Sequence, residues 1–281
     1  MLLNRTKREL RRLNLRARKG LGQHFLIDEQ ALRRIVAAAE LMPADVVVEV
    51  GPGLGILTRE LAAQAGTVVA IEVDSKLASA LKEALPSPSS VVVINEDVLQ
   101  VEPVRLLETA RVAPDVRYKV VANLPYYVAS AVVRHFLEST AKPCVMVVTV
   151  QKEVAQQMVA PVGRMSLLSV SVQLYGSPEI VAHVPASGFH PRPKVDSAVV
   201  RIRVYDEPLF HMNEAAFFRL VRGGFAAPRK QLHNSLALGL GVPPGDAASL
   251  LDRAGIGPKR RAGTLSLEEW HRVYTVLNEE R

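Results

Sequence analysis

The chain has 281 residues, 48% of them hydrophobic, enough for one large or two modest packed domains. A formal charge of +7 points to an anionic partner, and a single cysteine, Cys144, excludes an internal disulfide, argues against a zinc cluster and fits a reducing, cytoplasmic setting. No stretch approaches the roughly 18 consecutive apolar residues of a membrane span, and the histidines show no metal-ligand spacing, so neither a membrane nor a metal is expected.

Residues 1–20 form a basic arm in which Arg5, Lys7, Arg8, Arg11, Arg12, Arg16, Arg18 and Lys19 face one acid, Glu9. Arg5, Arg8, Arg12 and Arg16 recur at helical spacing. A polyanion is the natural partner of such an arm; RNA contact through Arg12, Arg16 and Lys19 among others is one reading, with a solvated tail and an organellar targeting peptide as rivals. Next, Asp28 caps a helix with Leu32, Ile35, Val36 and Ala39 on one face, bounded by Pro43.

From about residue 45 to 160, apolar β-branched runs alternate with helical patterns, the signature of parallel strands joined by crossover helices. The strands are expected at Val46–Val50, Thr67–Ile71, Val91–Ile94, Tyr118–Ala122 and Val145–Val150, buried on both faces. Leu168–Tyr175 and Val195–Val204 read as further strands forming an antiparallel edge, joined by a link containing Pro185, Gly188, Pro191 and Pro193. After Tyr205 the pattern becomes helical. Asn213 caps a helix with Phe217, Leu220 and Val221, Asp246 caps another ending near Gly255, and Ser266 with Glu269 forms a capping box ahead of Trp270 and Val273. The division expected is therefore an arm (1–20), an α/β domain (21–205) and a small helical domain (206–281).

Chemistry collects at the strand ends. Glu49-Val-Gly51-Pro-Gly53-Leu-Gly55 follows the first strand and opens a helix, which suits a nucleoside cofactor touching backbone. A dinucleotide fingerprint needs glycine at position 56, where Ile56 stands, so a nicotinamide cofactor is disfavoured. Glu72 after the second strand is placed to accept ribose hydroxyls, and Asp97 after the third to accept an adenine amino proton. Asn123-Leu124-Pro125-Tyr126 ends the fourth. An exocyclic adenine amine is a poor nucleophile because its lone pair is delocalised, so positioning must carry the reaction. The Asn123 side-chain oxygen and the Leu124 carbonyl can each accept one N–H, Pro125 stiffens the turn, and Tyr126 can stack on the base. Together these describe an S-adenosylmethionine-dependent base methyltransferase. In the helical domain, Arg229, Lys230, Lys259, Arg260 and Arg261 are candidate phosphate contacts.

The chain resembles the ribosomal RNA adenine N6,N6-dimethyltransferase family, of the KsgA or RsmA type. The resemblance rests on Gly20–Leu26, the glycine turn, Ile71–Asp74, Asn123–Tyr127, Gln151–Ala155 and Phe189–Ser197, in that order. Glu96 and the Pro161–Leu168 segment depart from the family pattern. The resemblance implies a Rossmann-like class I methyltransferase sheet followed by a small helical domain. It also implies that His24 and Leu26 line the S-adenosylmethionine pocket with Gly51, Gly53, Gly55, Glu72, Asp97 and Asn123, and that Phe189 stacks on the target base opposite Tyr126. The implied reaction dimethylates N6 of two adjacent adenines near the 3′ end of small-subunit rRNA, on an immature small subunit, by a monomer. Alternatives are methylation of large-subunit RNA, as in antibiotic resistance, and a non-catalytic assembly or transcription factor.

Overall fold

The computed structural model describes residues 2–15, 22–86, 89–113 and 116–279. Arg16, Lys19 and the Gly20-Leu21 start of the first family motif lie outside the described residues. In chain order the elements are α1 (Leu2–Arg12), β1 (Phe25–Leu26), α2 (Glu29–Ala38), β2 (Val46–Val50), α3 (Ile56–Ala62), β3 (Thr67–Ile71), α4 (Ser75–Ala84), β4 (Val91–Ile94), α5 (Pro103–Thr109) and β5 (Tyr118–Asn123). They continue with α6 (Ala129–Leu137), β6 (Val145–Gln151), α7 (Lys152–Met158), α8 (Leu167–Gln173), β7 (Gly176–Val184), β8 (Phe189–His190), β9 (Ser197–Val204), α9 (Glu214–Gly224), α10 (Leu232–Leu240), α11 (Pro244–Arg253) and α12 (Leu267–Asn278).

Two compact units result, Met1–Gln156 with Gly176–Asp206, and Gln157–Tyr175 with Glu207–Arg281. The second therefore takes in 157–175, which the contiguous division at 205 had placed with the α/β domain. The first unit holds a seven-stranded sheet in the order β4-β3-β2-β5-β6-β9-β7. Its first five strands are parallel, while β9 runs antiparallel to β6 and β7 antiparallel to β9. β2 is buried along its whole length, as its valine run requires. The chain leaves β2 for β3 and β4 on one side and returns to β5 on the other. That reversal opens a crevice at the carboxyl ends of the strands.

Leu168–Tyr175 is not a strand. Ser166 accepts a hydrogen bond from the Ser169 N–H and the Ser169 hydroxyl reaches back to the Ser166 N–H, a reciprocal cap that starts α8. A short apolar run reads alike as a buried helix or a buried strand, and the two serines decide it. The edge strand is β7 instead, inside what reads as a linker; Pro178 is tolerated there because β7 closes the sheet at one side. Asp246 is likewise no cap. α11 begins with Pro244 in its first turn, and Asp246 sits in that turn, where its charge still favours the helix N-terminus. Asp28, Asn213 and Ser266 do cap α2, α9 and α12.

In the second unit, Trp270, Phe217, Leu232, Leu236 and Leu251 are buried together with Leu265. α9 and α10 cross at glycines: a Cβ on Gly239 would lie 2.3 Å from the Gly223 Cα, and one on Gly224 would meet the Trp270 ring at 2.2 Å. Among the described residues, no helix is long and apolar enough to cross a membrane.

Candidate active site

At the carboxyl end of β2 the chain turns three times through left-handed backbone, with φ of +68° at Gly51, +54° at Gly53 and +71° at Gly55. Gly51 N–H donates to the Ile71 carbonyl at 2.9 Å, which ties the turn to β3. The Arg59 guanidinium donates to the Leu54 and Gly55 carbonyls at 3.4 and 3.2 Å and braces the turn from α3. Gly51 and Gly53 line a cleft at this edge of the sheet. Gly55 does not line it. A Cβ there would stand 2.5 Å from Leu81 Cδ1, so this glycine serves the packing of α3 on α4.

Two carboxylates stand in the cleft wall. Glu72 is buried, with Oε2 accepting from Gly53 N–H and Oε1 from Asp74 N–H, both at 3.0 Å. Burial raises its pKa above the ordinary range, and those N–H donors offset part of the rise. Glu49, on β2, is buried more completely and its Oε2 has no hydrogen-bond partner. Burial pushes it up to about 8; the nearby Thr58 hydroxyl opposes the shift without reaching ordinary hydrogen-bond geometry, and the Glu72 charge adds to it. Sequence reasoning passed over Glu49 as a site residue. The available signal was a carboxylate inside a valine strand covered on both faces.

Asn123 ends β5 opposite Thr149 of β6, and its Nδ2 donates to the His24 carbonyl at 3.1 Å. That bond fixes the amide and leaves Oδ1 as its acceptor atom. Leu124 is buried, with its N–H on the Thr149 carbonyl at 3.2 Å, and the Pro125 carbonyl accepts from Val128 N–H to close the turn into α6. Tyr126 is held from two sides. Its hydroxyl lies 2.6 Å from Ser197 Oγ, and the His24 ring stacks on it with centroids 5.3 Å apart at 29°. Burial raises the Tyr126 pKa, with the Ser197 hydrogen bond opposing, so the phenol stays neutral. His24 Nδ1 is 2.7 Å from the Pro191 carbonyl, an oxygen that can only accept, so Nδ1 carries the proton.

β1 pairs antiparallel with β8, Phe25 against His190 and Leu26 against Phe189. This short ribbon carries His24 and Leu26 to the cleft, which both line together with Asn123, Leu124, Pro125 and Tyr126. Phe189 goes elsewhere. It is 2% exposed, belongs to the core cluster with Leu26, Val184 and Val199, and is not among the residues that line the cleft. Asp97 is also off the cleft wall: β4 ends at Ile94, Asn95 turns back to donate to the Glu72 carbonyl at 2.7 Å, and exposed Asp97 caps a 3₁₀ turn by accepting from Leu99 N–H at 3.0 Å.

The candidate RNA contacts divide. On α1, Arg5, Lys7, Arg8, Arg11 and Arg12 are exposed while Thr6 and Leu10 are buried, and Leu2 packs on the core. The helix is thus docked by one face; Arg12 also pairs with Glu9 at 2.9 Å. In the second unit, Arg229, Lys230, Lys259 and Arg261 are exposed. Arg260 is committed to the structure instead, bound to Glu269 at 2.5 and 2.9 Å and to the Thr264 carbonyl. No cluster of three or more potential metal ligands occurs among the described residues.

A family model described as "Ribosomal RNA adenine dimethylase" matches residues 14–279. A protein of Dehalococcoides mccartyi named "Ribosomal RNA small subunit methyltransferase A" is 49% identical over 279 residues, 99% of this chain and 94% of its own length. One of the same name from Moorella thermoacetica is 42% identical, covering 97% and 96%. Among solved structures, a dimethyladenosine transferase from Plasmodium falciparum superposes with a TM-score of 0.76 at 25% identity, over 92% of this chain and 98% of that one. The 23S rRNA methyltransferase ErmE gives 0.67 at 33%, over 90% and 99%. The seven-stranded sheet with its crevice at the turn after β2 is the Rossmann-like class I methyltransferase fold. A strand-end glycine turn, a buried acid after β3 and the Asn123–Tyr126 turn converge on one cleft, and with these matches the chain belongs to the ribosomal RNA adenine dimethylase family.

Proposed function

We propose that the chain transfers methyl groups from S-adenosylmethionine to N6 of two adjacent adenines near the 3′ end of small-subunit rRNA, acting as a cytoplasmic monomer on an immature small subunit. The observation that carries this reading is the placement of Asn123, Leu124, Pro125 and Tyr126 on the same cleft as Gly51, Gly53 and Glu72. The cleft fits the cofactor: glycine backbone where a ligand must approach closely, and a buried carboxylate whose oxygens keep lone pairs beyond their N–H donors. When bound, the cofactor supplies a methyl group already activated by its sulfonium. Glu72 would hold the ribose, His24 and Leu26 would line the pocket, and Asp97, at the same sheet edge, would receive the adenine amine.

The residues of the chain then do three things. Asn123 Oδ1 and the Leu124 carbonyl accept the two N–H bonds of the target amine, drawing its lone pair out of conjugation. Tyr126, fixed by Ser197 and His24, offers its free face to the base and offsets part of the few kcal/mol spent on extruding it. No side-chain base of ordinary pKa is required before attack, because geometry brings the nitrogen into line; the amine is acidic once methylated, and its surplus proton passes to water at the cleft mouth. The exposed cations of α1, with Arg229, Lys230, Lys259 and Arg261, supply phosphate contacts that position the RNA.

Labelled S-adenosylmethionine is the test. The purified protein is expected to label unmodified small-subunit particles at two neighbouring adenines, mapped by mass spectrometry, and to leave large-subunit RNA unlabelled. Label confined to large-subunit RNA would replace the proposal with the ErmE-type reaction, and label on neither would leave a non-catalytic binding role.

A further inference from the structure

Tyr127 has no role in the chemistry above, yet it stands on the cleft that Tyr126 lines. It is 60% exposed. Its ring is placed rather than loose: a Cβ built on Gly22 would lie 3.2 Å from Tyr127 Cδ1, and Gly22 has φ +55°, so bare backbone backs the ring. The hydrogen bond from Val128 N–H to the Pro125 carbonyl fixes the turn that carries both tyrosines. From that turn Tyr126 reaches inward to Ser197, while Tyr127 keeps its ring in solvent.

The other aromatic surfaces of the site are taken. One face of Tyr126 is covered by His24, Phe25 is buried, and Phe189 is in the core. An RNA base drawn into the cleft leaves its neighbour without a stacking partner on one side. That neighbour is joined to the target by a single phosphodiester and so must stay near the mouth. An exposed, backed phenol ring there suits any purine, because every base has a π-face.

Resting on the reading that an RNA adenine is the target, we infer that Tyr127 is a positioning residue that stacks on the purine adjacent to the adenine held in the cleft. For two adjacent adenines, the ring holds one while the other reacts. It acts through stacking alone, so its hydroxyl is dispensable.

Full-length Tyr127→Ala and Tyr127→Phe proteins are compared with the unsubstituted chain on a hairpin RNA carrying 2-aminopurine beside the target adenine, whose fluorescence reports stacking. Binding should quench the probe with the unsubstituted and Phe proteins but not with the Ala protein. Tyr127→Ala should raise KM for unmodified small-subunit particles about ten-fold, the order expected for one lost base–aromatic stack, with a smaller fall in kcat. Its products should be enriched in RNA modified at one of the two adenines, and Tyr127→Phe should restore the unsubstituted pattern. Full quenching by the Ala protein, equal impairment of the Phe protein, or a loss confined to affinity for S-adenosylhomocysteine would each overturn the inference. The functional reading fails by a different result, an unsubstituted protein that leaves small-subunit particles unlabelled. In that case the quench on whichever RNA it does methylate still decides the role of Tyr127.

Discussion

Replacing Glu49 by glutamine is expected to stabilise the protein at alkaline pH and to change little at pH 5. The Glu49 carboxyl, buried in β2 with Oε2 unpartnered, titrates at about 8 against an ordinary value of 4.5. The unfolded chain releases this proton near the ordinary value, whereas the folded chain keeps it until about 8. Between those limits the unfolded state binds fewer protons, so stability falls as pH rises and levels off above the folded value. At about 1.4 kcal/mol per pH unit, the gap corresponds to at most about 5 kcal/mol, with relaxation and water entry lowering the realised cost. Glutamine removes this titration. The assay is thermal and urea unfolding of both proteins at pH 5, 6.5, 8 and 9, read as the difference between them, so that the raised pKa of Glu72 largely cancels. The difference should open in favour of Glu49→Gln between pH 5 and 8. Parallel profiles would refute the reasoning, because they would mean that Glu49 ionises as an exposed carboxylate does.

Asn123→Ala removes both the acceptor oxygen and the tether to the His24 carbonyl, so kcat should fall at least about 100-fold, the scale of losing one positioned polar group, while RNA affinity moves little. Equal losses in turnover and RNA binding would make the turn merely structural. Changing Arg5, Arg8 and Arg11 together to glutamine should flatten the slope of log Kobs against log salt by about 2 to 3, measured by RNA binding across ionic strength. An unchanged slope would assign α1 to packing alone. Gly239→Ala should cost about 1–3 kcal/mol by overpacking, because its methyl group meets Gly223 Cα at 2.3 Å. Unaltered thermal unfolding of Gly239→Ala would show that α9 and α10 can part freely.

Much of the first unit was legible because its rules are local. Strands buried on both faces must be apolar throughout, so the runs at Val46, Thr67, Val91, Tyr118 and Val145 announce themselves, and the positions after them share the carboxyl edge by topology. Asp28, Asn213 and Ser266 mark helix starts by the hydrogen bonds that their side chains accept. Periodicity was silent where two states bury the same residues. Leu167–Gln173 forms a helix, while β7, with Pro178 inside it and a half-buried pattern, is a strand only because β9 pairs with it.

The strand runs, the glycine turn after β2 and the proline turn after β5 were legible in the sequence, because each depends on neighbours a few residues away. Tertiary structure decided what each side chain faces. Phe189 joined the core cluster, packing against α4 made Gly55 structural, and Glu269 claimed Arg260. The covered sheet left Glu49 buried without a partner, and bare backbone at Gly22 left Tyr127 at the mouth. Such outcomes hang on pairings between distant segments, where a shift of one residue reverses which face a side chain occupies.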